Sequence, residues 1–223
     1  MPRDTEETTH GVVKAVLVAG AVLVAGCSGG AGDGRDRSDA PRGWKVCEEF
    51  FGADGIDVVQ EELGEGTLTV LNAPVAVEEV LEDRAGVAKA WEPGSGVHYS
   101  NRSRPCELGV EGTGKRLSSS VGWSVDTEKD IRDGDAGEGW ESLGDGIHVK
   151  REDGGLRLTA VIPCAVQGAH AGQEAGLPLE VETEVRGVPD FDVRVLSEMG
   201  ARLARKTVDG LPCVNRPEMP RGL

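Results

Sequence analysis

The chain has 223 residues, with 39 acidic against 24 basic side chains and a formal net charge of −15. That balance excludes nucleic-acid binding, which draws its affinity from basic groups that neutralise phosphates. Glycine, at 33 residues, is about twice its ordinary share, and no apolar run reaches the roughly 18 residues that a membrane-spanning helix requires.

Ala15 to Ala25 reads AVLVAGAVLVA, an apolar run of 11 residues. Its length suits the core of a signal peptide and is too short to cross a bilayer. Lys14 precedes the run, and Leu23-Val24-Ala25-Gly26-Cys27 closes it. This order resembles the bacterial lipoprotein signal, in which small residues precede a cysteine that is diacylated and becomes the new N-terminus. Asp4, Glu6 and Glu7 beside Arg3 depart from the basic start usual in such leaders. Residues 1–26 are therefore expected to be a lipoprotein signal peptide, with Cys27 lipidated. Acyl chains would anchor the protein at about 0.8 kcal/mol per buried CH2, two chains giving stable attachment. Residues 28–43, SGGAGDGRDRSDAPRG, hold no large apolar side chain and are expected to form a disordered tether. Such a tether reaches roughly 20–24 Å root-mean-square.

Beyond the tether, Ile56 to Leu63 reads as a short helix and Leu68 with Val70 as a weak strand. Val77, Val80, Leu81, Ala85 and Ala88 make a helical stripe over Val75–Ala90, with Pro74 suited to its first turn. Val121, Trp123 and Val125 mark a strand. Ile147–Arg151 and Leu156–Pro163 flank Asp153-Gly154, a hairpin signal. Leu177 to Val185 alternates apolar and acidic residues, as a half-buried strand does. Asp190 is placed to cap a second long helix with Phe191, Val195, Met199 and Leu203 on one face. Arg202, Arg205 and Lys206 suit its C-terminal end, and Gly210 its stop. Hairpins plus two main helices define an α+β class with an antiparallel sheet.

With Cys27 lipidated, Cys47, Cys106, Cys164 and Cys213 remain, an even number that favours two disulfides in an exported chain. Four cysteines allow three connectivities. An internal echo favours one of them. The chain reads twice as cysteine, strand, helix, cysteine, which pairs Cys47 with Cys106 and Cys164 with Cys213. Two similar halves follow, 44–116 and 117–223, each closed by a disulfide. The lipobox, the Gly/Asp-rich tether, Val46-Cys47 and the strand Leu156–Cys164 together resemble secreted lipoproteins of actinobacteria that carry no assigned activity. The resemblance implies location and disulfide layout and transfers no catalytic residue.

Motifs for chemistry are sparse. Gly109 to Arg116 approaches the phosphate-binding GxxxxGK[ST] loop, but Arg116 lacks the hydroxyl that magnesium needs, so a glycine-rich turn is expected. His98, His148 and His170 form no paired spacing, and neither GxSxG nor SxxK occurs. The acidic segment 127–146 opens with Asp133 and Asp135 like a calcium loop, yet Gly144 stands where the closing Glu belongs. A solvated linker without a metal site is expected there. Glu180, Glu182 and Glu184 share one strand face, expected to be solvated. The expectation is thus a non-enzymatic interaction or sensing module without a cofactor, lipid-anchored on the outer face of the cytoplasmic membrane. Its expected partners are the membrane, through the anchor, and an envelope protein. The alternative is a small-ligand or cation-binding lipoprotein.

Overall fold

A computed structural model describes residues 42–72, 75–95 and 102–223. The leader, Cys27, most of the tether and His98 lie outside the described residues. The elements run α1 (Arg42–Phe51), α2 (Ala53–Leu63), β1 (Leu68–Val70), α3 (Val77–Ala90), β2 (Glu107–Val110) and β3 (Arg116–Trp123). They continue with α4 (Glu128–Asp133), β4 (Trp140–Gly144), β5 (Ile147–Glu152), β6 (Arg157–Ile162), α5 (Gln173–Gly176), β7 (Leu179–Arg186) and α6 (Val193–Gly210).

All seven strands join one sheet in the order β1-β2-β3-β7-β6-β5-β4, and every neighbouring pair is antiparallel. Strand β7 therefore sits at the centre, and its pairing with β3 spans eight residue pairs, from Arg116↔Arg186 to Trp123↔Leu179. The α+β class with an antiparallel sheet and two long helices is what the sequence pattern predicts. Strands from 44–116 and from 117–223 pair directly, because β2 lies against β3.

One sheet face carries the core. Leu117, Val121 and Trp123 of β3, Leu158 and Ile162 of β6, and Leu179, Val181 and Val185 of β7 are all buried there. Helix α6 packs onto this inner face through Leu196, Met199, Gly200, Leu203, Ala204, Thr207 and Val208, a run at helical spacing. The approach is close. A Cβ on Gly200 would stand 2.5 Å from Leu158 Cδ2, so any larger residue here would force the Leu158 side chain to shift. Phe50 and Phe51 of α1 and Ile56, Val59 and Leu63 of α2 extend the core. Each fully buried aliphatic or Phe side chain contributes about 1.5–3 kcal/mol by its transfer from water.

The cysteines pair as the echo implies: Cys47–Cys106 and Cys164–Cys213, each with Cα atoms 5.1 Å apart. The first closure encloses α2, β1 and α3, and the second encloses α5, β7 and α6. Both loops hold helix, strand, helix, but the first contributes an edge strand and the second the central one.

Three local expectations need correction. The cap of α6 is Asp192, whose carboxylate accepts from Arg194 N at 2.8 Å, rather than Asp190. A turn from Val188 to Phe191 buries the Phe191 ring and carries the helix start two residues further. Asp153 and Gly154 do take positive φ, 54° and 71°, but the connection between β5 and β6 is Asp153–Leu156, longer than a two-residue turn. The acidic segment 127–146 contains α4 and β4 rather than an open linker. Thr127 and Asp130 form a capping box: Asp130 N donates to Thr127 Oγ1 at 3.1 Å and Thr127 N to Asp130 Oδ2 at 3.0 Å. Asp145 and Gly146, with φ of 49° and 72°, make a two-residue hairpin turn between β4 and β5.

Candidate functional site

The outer face of the sheet, opposite α6, is polar. Strand register places on it Glu107 of β2, Arg116, Ser118 and Ser120 of β3, and Glu180, Glu182, Glu184 and Arg186 of β7. Arg157 and Thr159 of β6 and His148, Lys150 and Glu152 of β5 continue it. The bridge Ser103↔Val121 sets Arg102 beside Gly122, which faces Glu180 across β3 and β7. Gly122 has no side chain, so Arg102 crosses the strand to reach that carboxylate.

These charges pair with one another. Arg102 bridges to Glu180 and stands 3.7 Å from Glu182. Arg157 Nη2 and Arg186 Nε both donate to Glu184 Oε1, at 2.8 and 3.0 Å. Arg116 lies 3.4 Å from Glu107 and Lys150 lies 3.3 Å from Glu152. The ammonium of Lys150 also sits 5.9 Å from the centre of the Trp140 ring. Five acids therefore face five bases in a chain whose net charge is −15. The row of glutamates, expected to be solvated, is instead neutralised by Arg102, by Arg157 of β6 and by Arg186 of β7 itself. Most of these pairs are partly exposed, where each is worth about 0–1 kcal/mol, so their arrangement bears more on recognition than on stability.

Glu180 is the exception, only 5% exposed. Burial pushes its carboxyl above the usual range, while Arg102 and a hydrogen bond from Ser124 work the other way. Burial also opposes the charge on Glu184, but the hydrogen bonds of Arg186 and Arg157 outweigh it and hold that carboxyl low. Asp126, in the turn before α4, is raised first by burial and then by Asp130.

Helix α4 lies near one end of this face, with Ile131 buried. His148 is buried in the same region, and burial pulls its pKa below 6.5, with Glu128 and Arg132 of α4 as the charged neighbours. The unfolded chain thus binds the proton more tightly than the folded one. Stability present above 6.5 is lost as the pH falls from 6.5 through the folded value. His148→Gln is expected to flatten that loss in urea titrations at a series of pH values. Thr127→Ala, which removes the cap, is expected to cost about 1 kcal/mol and to move the His148 pKa up towards 6.5. An unchanged imidazole titration by NMR would show that α4 is not what buries the ring.

The other candidate residues do not assemble into a site. His170 lies exposed in a loop. Gly109 to Arg116 forms the hairpin between β2 and β3, with Gly112 and Gly114 both at φ 73°, and opens no helix. Asp133 is held by Lys129 at 2.6 Å. Among the described residues, no three His, Cys, Asp or Glu side chains come together to hold a metal. Cys47, Cys106, Cys164 and Cys213 are all consumed in disulfides. Open grooves are also present among the described residues. One, of about 390 Å³, is lined by Val75, Glu79, Val80, Glu82, Asp83 and Ser103. Another, of about 400 Å³, lies beside the start of α6.

No family model, curated protein or solved structure matches the chain.

Proposed function

We propose that the protein is a membrane-anchored extracytoplasmic lipoprotein that acts as a non-enzymatic interaction or sensing module. The pair of disulfides supports an extracytoplasmic reading: Cys47, Cys106 and Cys164 are fully buried, and such bonds persist in oxidising compartments. The sequence Leu23-Val24-Ala25-Gly26-Cys27 supplies the anchor. The paired outer face of the sheet supports interaction. Its charges alternate across five strands, a pattern that selects a partner by electrostatic match rather than by apolar burial. A second reading, small-ligand binding, is favoured by the arginine-lined groove beside α6.

Mass spectrometry of the mature N-terminus tests the anchor. A diacylated Cys27 is expected, and Cys27→Ala should leave the leader uncleaved and the protein free of acyl chains. An unmodified Cys27 thiol in the native protein would overturn the proposal. Purification with partners from solubilised membranes then tests the interaction. Arg186→Glu and Lys150→Glu, both on the outer face, should release the captured partner.

A further inference from the structure

The groove beside α6 is lined by three arginines from three separate segments. Arg151 comes from β5, Arg194 from the first turn of α6 and Arg221 from the tail that follows α6. Val193, Ser197 and Glu198 complete the walls. The tail is tied down on both sides of Arg221. Arg205 Nη1 donates to Pro220 O at 2.7 Å, and Ser197 Oγ donates to Leu223 O. Leu223 N returns a bond to Ser197 O at 3.4 Å, and the Leu223 side chain is buried. Arg221 is therefore held in the groove by tertiary contacts of its neighbours, not by a partner of its own. Among the described residues no carboxylate pairs with it.

The other two guanidinium groups each hold one carboxylate. Arg151 lies 2.8 Å from Glu141 and Arg194 lies 2.7 Å from Asp192. The Arg194 side chain is 85% exposed and that of Arg151 is 37% exposed, so both pairs exchange partners at little cost. Guanidinium forks suit an anion with several oxygens, and phosphate is the common case. Glu198 also lines the groove, and its carboxylate lowers the net positive charge there and so weakens the hold on any anion. The chain as a whole repels anions at long range, so binding here depends on contact rather than on steering.

We propose that this groove is a binding site for a phosphate group, with Arg221 as its principal contact and Arg151 and Arg194 as its flanks. The same chemistry occurs in a phospholipid headgroup and in a soluble phosphodiester. The full chain in phosphatidylcholine nanodiscs, titrated with glycerophosphoglycerol, tests the site through the Nε–H resonance of Arg221. Saturable shifts at millimolar probe are expected, weakened about tenfold in Arg221→Gln and strengthened in Glu198→Gln. Nanodiscs containing phosphatidylglycerol distinguish the sources. A shift larger than the soluble probe gives assigns the lipid headgroup, and a shift no larger assigns the soluble ligand. Shifts that never saturate, that acetate reproduces at equal ionic strength, or that persist undiminished in Arg221→Gln would overturn the site. The soluble-probe titration reads Arg221 itself and stays interpretable if Cys27 proves unlipidated; the nanodisc comparison is made on protein whose Cys27 acylation mass spectrometry has confirmed.

Discussion

Replacing Cys164 and Cys213 together by alanine is expected to lower stability by about 4 kcal/mol, and the Cys47 and Cys106 pair by nearly the same. The reason lies in the unfolded chain. The closures span 49 and 59 residues, and loop-closure entropy grows only with the logarithm of loop length, so the two losses are close. Their structural settings differ more than their energies. The Cys164–Cys213 loop contains β7, the central strand, and α6, the helix that covers it. The Cys47–Cys106 bond ties α1 to the start of β2 near one edge of the sheet. Loss of both should consume most of a typical domain's 5–15 kcal/mol and leave the reduced chain largely unfolded at body temperature. Urea unfolding of each alanine pair checks the magnitudes. A loss under 1 kcal/mol would mean that the reduced chain already keeps these segments close together, as residual structure in the unfolded ensemble allows.

Trp123→Ala is expected to cost about 3–5 kcal/mol. The side chain is 1% exposed and ends the longest strand pairing opposite Leu179. Its Nε1 donates to the carbonyl of Arg84 at 3.0 Å, tying the sheet to α3. Two terms can be separated. Trp123→Phe keeps much of the ring volume and loses the hydrogen bond, which should cost about 1–2 kcal/mol for the lost bond and the smaller ring. The alanine variant adds the cavity. Equal effects of the two substitutions in denaturant titration would show that the carbonyl bond, not ring packing, holds this corner together. Arg84 itself is buried, with Nη2 on Asp83, while its Nε and Nη1 have no hydrogen-bond partner. The Trp123 bond therefore rests on a helix that already carries a buried charge.

Helix α6, strand β7 and both disulfides were legible because their signals are local and periodic. Leu196, Met199 and Leu203 recur at helical spacing, and Leu179 to Val185 alternate without interruption. The segment 127–146 was harder. Its acids and glycines read as solvent-exposed chain, yet Thr127 followed by Asp130 is a capping pair that starts α4. Asp145-Gly146 is a hairpin signal, but the strand before it, Trp140–Gly144, has no strong alternation to support it.

The outer face escaped for a different reason. The glutamates of β7 find their partners on β6, on β7 itself and at Arg102, and two of those contacts depend on strand register that no local window contains. The arginine groove is likewise tertiary, since residues 151, 194 and 221 meet only after α6 and the tail are in place.

The two outermost strands set a limit on how copies of the protein can associate. Strand β1 has three residues, and β4 is interrupted by an irregularity between Ser142 and Gly144. Neither presents a long, regular row of free N–H and C=O groups, the template on which fibrils grow. Crowded molecules thus have little means of polymerising strand to strand, and a dense layer of them should remain a layer of separate particles.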